Sequence, residues 1–242
     1  MFQKYMSILK KSQLFAGFSD MEIQTFLKKA QNADQMKCVS VPANSYIVDH
    51  GEEISALMIV VEGEVSAVCD GCDGSQSLYE IIEEGDLFGV FVNYLHRHRS
   101  PITYMSGKKT VVLSVNADYC FEALNKDDLQ RFLSNIMRIM AQKQKKSINR
   151  MKILSKKSLR TRIMMYLNLE AKKQGYKNGT FKVRMNREQM AKYLCVNRSG
   201  LSHELTVLQE EGYISYRGNE FCLYGKSDVE RFCCIDEDAC NL

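Results

Sequence analysis

The run Asn197-Arg198-Ser199-Gly200-Leu201-Ser202-His203-Glu204-Leu205 places its chemistry on one side of a helix. Leu201, Leu205 and Leu208 recur at spacings of four and three, the repeat of a buried helical face. Arg198, Ser199, Ser202, His203 and Thr206 are left outside. A guanidinium can make two parallel bonds to a guanine edge, and serine hydroxyls and an imidazole can reach bases or phosphates. That face therefore suits a DNA major groove. Asn197 is a cap for this helix, and a helix N-terminus attracts phosphate. Asn186 and Arg187, at the start of the preceding helix, offer the same chemistry to phosphate. The plain alternative is the solvated face of an ordinary helix.

The elements that must hold these residues can be read around them. Asn186 and Gln189 predict a capping box over Arg187–Leu194, a helix with Met190, Ala191 and Leu194 on one face. Cys195-Val196-Asn197 turns the chain into a second helix, Arg198–Glu211, ended by Gly212. Two helices joined by a three-residue turn predict a helix-turn-helix. Tyr213–Tyr216, the turn Arg217-Gly218-Asn219 and Glu220–Tyr224 then predict a hairpin, which makes the module winged. Upstream, Leu159–Gln174 predicts a helix with Ile163, Met164, Tyr166 and Leu167 inward. Lys177-Asn178-Gly179 predicts a turn and Phe181–Met185 a short strand. Residues 150–217 carry 15 Lys/Arg against 5 Asp/Glu, whereas residues 1–149 carry 16 against 18 and residues 218–242 carry 2 against 6. A basic block between a near-neutral domain and an acidic tail points to a polyanion partner.

The rest of the chain has a different texture. Ser19 and Glu22 predict a capped helix near the N-terminus, with Leu14, Phe15, Phe18, Met21, Ile23 and Phe26 at helical spacing. From Met36 to about Leu124 short β-rich runs follow one another: Lys37–Val41, Ser45–Asp49, Ala56–Glu62, Glu64–Cys69, Ser77–Ile82 and Thr110–Val115. Glycine and acidic turns between them predict a sandwich or barrel. Asn125, with Asp127 and Asp128 behind it, predicts the cap of a long helix from Lys126 to about Ile153, roughly 42 Å at 1.5 Å per residue. Its stripe of Leu129, Phe132, Leu133, Ile136, Met137 and Met140 resumes at Ile148 and Met151, more than one barrel can cover, so a second copy is expected along it. Ile153–Ser158 reads as a hinge. With 242 residues, 45% of them apolar, the chain is long enough for two domains. No apolar run approaches the roughly 20 residues of a membrane span, and no signal peptide opens the chain, so a cytoplasmic location without membrane contact is expected. No Ser/His/Asp arrangement, phosphate loop or metal-hydrolase motif supports an enzyme.

With these elements in place the chain resembles the Crp/Fnr superfamily of bacterial transcription regulators over nearly its whole length. "LFAGFSDMEIQTF" is similar to the family's N-terminal opening. Gly51-Glu52 and Gly63-Glu64-Val65 resemble its barrel strands, and "REQMAKYLCVNRSGLSHELTVLQEEGYI" resembles its DNA-binding signature. The resemblance implies an α+β fold: an N-terminal β-barrel or jelly roll of the cyclic-nucleotide-binding type over 1–124, a dimerisation helix and hinge over 125–153, and a winged helix-turn-helix over 154–242. It implies a homodimer on an inverted-repeat double-stranded operator, with RNA polymerase as a further partner that no residues mark. Arg198, Ser199, Ser202 and His203 stand where the family reads bases. Ser199 and His203 depart from the family's usual acid and arginine, which puts a standard operator in doubt. Cys195 stands where glycine is more usual and is strained if φ there is positive.

Members that bind cAMP hold the ribose with a Gly-Glu pair and the cyclic phosphate with a downstream Arg-Ser pair. The corresponding loop here reads "GDLFGVFVNYLHRHRSPITYMS". Gly89 stands, Val90 replaces the acid, and Arg99-Ser100 stands. A ribose hydroxyl facing Val90 would lose its partner at about 1–3 kcal/mol, so an unidentified small effector other than cAMP is expected. With Ser147 of the long helix, these residues outline a candidate effector pocket. The alternative is a basic surface loop made of Arg99, His96, Arg97 and His98. The nine cysteines raise a redox- or metal-responsive alternative. Cys69 and Cys72 form a C-x-x-C, but no second pair completes a zinc site, and Cys233, Cys234 and Cys240 are similarly incomplete. No cofactor or metal is assigned. A further alternative is a cyclic-nucleotide-binding regulatory subunit whose C-terminal module contacts protein.

Overall fold

The structure is a computed structural model that describes residues 2–72, 74–90, 99–175 and 179–224. The chain forms two compact units that divide between Gln144 and Lys145, inside one continuous helix.

The first unit opens with 3-10 turns at Phe2–Tyr5 and Gln13–Phe15 around a short helix α1 (Met6–Leu9). Helix α2 (Asp20–Asn32) begins at Ser19 in the expected capping box: the Ser19 N–H donates to Glu22, and the Glu22 N–H donates to the Ser19 hydroxyl. Eight strands follow: β1 (Met36–Val41), β2 (Tyr46–Val48), β3 (Ala56–Glu62), β4 (Val65–Asp70), β5 (Gln76–Ile82), β6 (Leu87–Phe88), β7 (Thr103–Ser106) and β8 (Thr110–Asn116). They form two four-stranded antiparallel sheets, ordered β1-β8-β3-β6 and β2-β7-β4-β5. This is the expected jelly-roll sandwich. All six strand runs read from the sequence appear, with ends shifted by a residue or two. Strands β6 and β7 and the short helix α3 (Ala117–Ala123) were not legible. β6 spans only two residues, and α3 rests on the Asn116 side chain accepting from the Tyr119 N–H.

Strand β3 shows why the sheet is buried on both sides. Its residues Leu57, Ile59 and Val61 point into a cluster with Leu9, Phe15, Phe26 and Leu27 from the N-terminal segments. Met58 and Val60, alternating with them, point into the interior between the sheets with Val65, Ile82, Phe88 and Tyr104. An uninterrupted apolar run satisfies both faces of a pleated strand. Gly63 follows at φ +97, where a Cβ would lie 2.6 Å from the Thr110 hydroxyl and 2.7 Å from the Lys109 carbonyl. Only glycine fits that crossing.

Helix α4 (Lys126–Leu154) runs 29 residues. Asn125 caps it by accepting from the Asp128 N–H at 2.9 Å. The apolar stripe read from the sequence splits in two. Phe132 and Ile136, joined by Ile139, are buried in the first unit, whereas Leu133, Met137, Ile148 and Met151 are exposed. Arg131 bonds the Gly17 carbonyl, Glu22 and Asp128, and the Asn135 amide donates to the Leu14 and Ala16 carbonyls. These bonds fix the N-terminal segment to α4. Bonds from Ser19, backbone and side chain, and then from Arg131 hold the Glu22 carboxyl at about 2.

The second unit contains α5 (Leu159–Lys173), β9 (Phe181–Lys182), α6 (Arg187–Leu194), α7 (Arg198–Glu210), β10 (Ile214–Arg217) and β11 (Glu220–Leu223). Its sheet is ordered β10-β11-β9, so the expected hairpin gains a third strand. Ile163, Met164, Tyr166 and Leu167 are buried as expected, together with Met190, Ala191 and Leu194 of α6. The turn read at Lys177-Asn178-Gly179 has Lys177 and Asn178 outside the described residues.

Candidate nucleic-acid interface

Helices α6 and α7 stand as the sequence predicts, joined through Cys195, Val196 and Asn197. The Asn186 side chain accepts from the Gln189 N–H, and Gln189 returns the bond to the Asn186 N–H, each at 2.9 Å. Cys195 takes the left-handed conformation, φ 54 and ψ 51, so the strain expected of a non-glycine residue is present. Asn197 caps α7: its side-chain oxygen accepts from the Gly200 N–H at 2.6 Å and from the Ser199 hydroxyl at 3.0 Å.

Helix α7 is anchored from behind. Leu201, Leu205 and Leu208 are fully buried. Arg160 of α5 grips one carboxylate of α7 and one at its C-terminal cap, bonding Glu204 at 2.8 Å and Glu211 through both terminal nitrogens at 2.7 and 3.0 Å. Those bonds raise the Arg160 pKa further, so this cation is permanent. Arg162 donates to the Lys156 carbonyl at 2.7 Å. Arg150 lies 5.3 Å over the Tyr193 ring and donates to the Cys195 sulfur at 3.6 Å.

The opposite face of α7 is open. Arg198, Ser199, Ser202, His203 and Thr206 are all exposed. The Thr206 hydroxyl bonds back to the Ser202 carbonyl at 3.1 Å. The side chains of Arg198 and His203 make no hydrogen bond or ion pair among the described residues. Arg198, Ser202 and His203 thus face outward with unused donors from a helix anchored on its other side, an arrangement suited to reading base edges.

Arg187 occupies a different setting from its neighbours. Its guanidinium lies 4.8 Å from the ring centres of both Tyr216 and Phe221, and Nη2 donates to the Gly218 carbonyl at 2.8 Å. Nη1 is buried with no hydrogen-bond partner. A bare buried N–H costs about 1–3 kcal/mol. Here two aromatic faces supply the electrostatic partner, at about 0.5–2 kcal/mol for each cation–π contact. Burial lowers the Arg187 pKa. The sequence alone did not reveal this setting, because Tyr216 and Phe221 reach Arg187 only once the hairpin folds back.

The residues of the candidate effector pocket are placed as follows. Gly89 has φ +76, and a Cβ there would lie 2.7 Å from the Met58 methyl. Beside it Phe88 and Tyr104 pack with ring centres 5.0 Å apart; burial pushes the Tyr104 pKa up, against a backbone hydrogen bond from Gly89. Val90 is 2% exposed and belongs to the cluster with the N-terminal segments. Arg99 donates to the Gly51 carbonyl at 2.7 Å, and its backbone bridges to Glu53. The Ser100 side chain is buried and donates to the Ile102 carbonyl at 2.6 Å, while its backbone exchanges bonds with Gly51 and Glu52. His96, Arg97 and His98 lie outside the described residues. Ser147 is half-buried on α4 in the second unit.

The six described cysteines, Cys38, Cys69, Cys72, Cys120, Cys195 and Cys222, are free thiols. Burial pushes the Cys120 thiol up to about 12. Among the described residues no group of three or more His, Cys, Asp or Glu side chains could hold a metal ion, and no helix is long and apolar enough to cross a membrane. Cys233, Cys234 and Cys240 lie outside the described residues.

The cyclic nucleotide-binding domain family matches residues 38–127, and the Crp-like helix-turn-helix domain family matches residues 161–224. No curated protein sequence matches the chain. Several solved structures share its fold. A variant of CooA from Carboxydothermus hydrogenoformans is 16% identical at a TM-score of 0.69, covering 84% of this chain and 89% of its own. The c-di-GMP-responsive global regulator CLP of Xanthomonas campestris is 15% identical at 0.66, covering 84% and 100%. A CRP-family transcriptional regulator from Thermus thermophilus is 23% identical at 0.55, covering 80% and 95%.

Proposed function

Because the chain belongs to the Crp/Fnr superfamily of transcription regulators, we propose that it binds an inverted-repeat DNA operator as a homodimer. The observation that carries this reading is the face of α7. Arg198 and His203 are exposed and unpaired, Ser199 and Ser202 are exposed beside them, and Leu201, Leu205, Leu208 and Arg160 fix the helix behind them. Arg198, Ser199, Ser202 and His203 read bases. Asn186 and Asn197, with the N-termini of α6 and α7, hold phosphates. Such a regulator works in the cytoplasm, where its operator lies. Selection from randomised DNA at moderate salt tests the reading. An enriched inverted repeat is expected, and no enriched site would refute it.

The second copy docks along α4. Leu133, Met137, Ile148 and Met151 fall on one side of the helix and are exposed, Met137 and Met151 each at 70%. Apolar residues repeated along so long a helix mark a seam between helices. Met137→Glu with Met151→Glu should convert the dimer to monomer in sedimentation velocity while leaving the helical circular dichroism intact.

The effector is a small molecule other than cAMP. The buried Val90, the buried Ser100 hydroxyl donated to Ile102, and the bond that turns Arg99 to Gly51 all support this. The hinge it shifts is Ile153–Ser158, a reading supported by the break between α4, which ends at Leu154, and α5, which begins at Leu159. Thermal stabilisation by cAMP at micromolar concentration would overturn this part of the proposal. A screen that includes c-di-GMP, to which the similar CLP protein responds, covers a second nucleotide class.

A further inference from the structure

We infer that Arg187 is a positioning residue that latches the wing onto the helix-turn-helix, rather than a hand on phosphate. This rests on the DNA-binding reading above. Arg187 is the first residue of α6, so its backbone belongs to the helix pair. Its side chain belongs to the wing: it lies over Tyr216 of β10 and Phe221 of β11 and bonds the carbonyl of Gly218 at the hairpin turn. Behind the pair, Phe221 stacks on Tyr216 at 5.4 Å and on Phe181 at 6.2 Å, so the latch closes on a three-ring pile that reaches β9. The turn is tied a second time, because the Val183 N–H donates to the Asn219 carbonyl at 2.8 Å.

Much of the guanidinium is committed to the wing. Nη2 donates one N–H to Gly218, and Nη1 is buried. The neighbouring cation is in the opposite condition. Arg217 ends β10 beside the turn, is exposed, and its side chain makes no hydrogen bond or ion pair among the described residues. The latch therefore holds the strand that presents Arg217, and Arg217 takes the backbone phosphate. A planar guanidinium can lie against two rings and still donate in its own plane, which an ammonium cannot do.

Operator binding as a function of salt separates the two roles. One lost phosphate contact lowers the slope of log K against log salt by about 0.9. Arg217→Ala should show that drop. Arg187→Ala should weaken binding about tenfold with the slope unchanged. Arg187→Lys should fail to restore affinity, and Tyr216→Leu, which changes no charge, should reproduce the loss. Hydrogen exchange without DNA gives an independent reading: Arg187→Ala should speed exchange of the amides of residues 214–223 and leave those of α7 slow. If the unmodified protein selects no DNA, the binding reading falls, and the exchange result still reports the latch. The latch is overturned if Arg187→Ala lowers the salt slope by about 0.9 and Arg187→Lys restores affinity. It is equally overturned if exchange in the wing does not change.

Discussion

The chain carries two Arg-Ser pairs, Arg99-Ser100 in the first unit and Arg198-Ser199 in the second, and they differ in what their polar atoms are already doing. Arg99 bonds the Gly51 carbonyl, and Ser100 is buried with its hydroxyl on Ile102. Arg198 is exposed and bonds nothing among the described residues, at the head of a helix held by three buried leucines and by Arg160. The same two residue types therefore serve opposite ends. The first pair closes a loop onto its own backbone; in the second the Ser199 hydroxyl bonds the Asn197 cap and Arg198 alone is unbonded among the described residues. A buried hydroxyl already bonded inside the protein gains little from a ligand, whereas an exposed donor on a fixed support exchanges water for the ligand at little ordering cost. Composition does not separate these cases; the bond from Arg99 to Gly51 and the burial of Ser100 do.

The sharpest way to break the comparison is Val90→Glu, which restores the acid of the cAMP-binding family members. Placed in the apolar cluster, that carboxylate should cost about 3 kcal/mol, read as a fall in the urea midpoint, and cAMP should not recover it. A stable variant that cAMP stabilises further would show that position 90 faces a ligand after all. Next in size is Arg198→Ala, expected to weaken binding to the selected operator by about 1–3 kcal/mol and relax one base position. Its control, Arg99→Ala, should leave operator affinity unchanged; an equal loss on every DNA sequence would instead reduce Arg198 to a phosphate contact. A smaller gain is expected at the helix-turn-helix itself. Cys195→Gly removes a left-handed non-glycine residue and should stabilise the second unit by up to about 1 kcal/mol in thermal melts, with operator binding retained.

The smallest effect concerns acid. Glu22 has its folded pKa lowered from 4.5 to about 2, so its contribution to stability is present above pH 4.5 and is lost as the pH falls towards 2. Glu22→Gln should flatten that part of the melting profile, and an unchanged profile would show that Ser19 and Arg131 do not depend on the charge.

Much of this architecture could be read before the fold was known, for reasons that differ by element. The capping boxes at Ser19 and Asn186 and the leucine spacing in α7 are local rules written in adjacent residues. Strand β3 announced itself because both of its faces are buried. The stripe on α4 was legible as a stripe, but its division between Ile136 inside and Met137 outside depends on the strands and N-terminal segments packed beside it. β6 and β7 were missed because their pairing with β3 and β4 comes from chain far away in sequence. The exposed polar face of α7 was found by subtraction of the buried face. The setting of Arg187 was not, since nothing next to it in sequence names Tyr216, Gly218 or Phe221.

The bond from Ser199 to Asn197 carries one more consequence. A hydroxyl has a single proton, and Ser199 has given its own to the oxygen that caps α7. In that posture, on the DNA-binding reading proposed above, it would offer a groove lone pairs alone. Phosphate oxygens and the O6 and N7 of guanine are then poor company. The exocyclic amines of adenine and cytosine are the natural partners. On that reading, the free protein holds Ser199 in a state of polarity suited to an amine-bearing base, and another base there would require the hydroxyl to turn around.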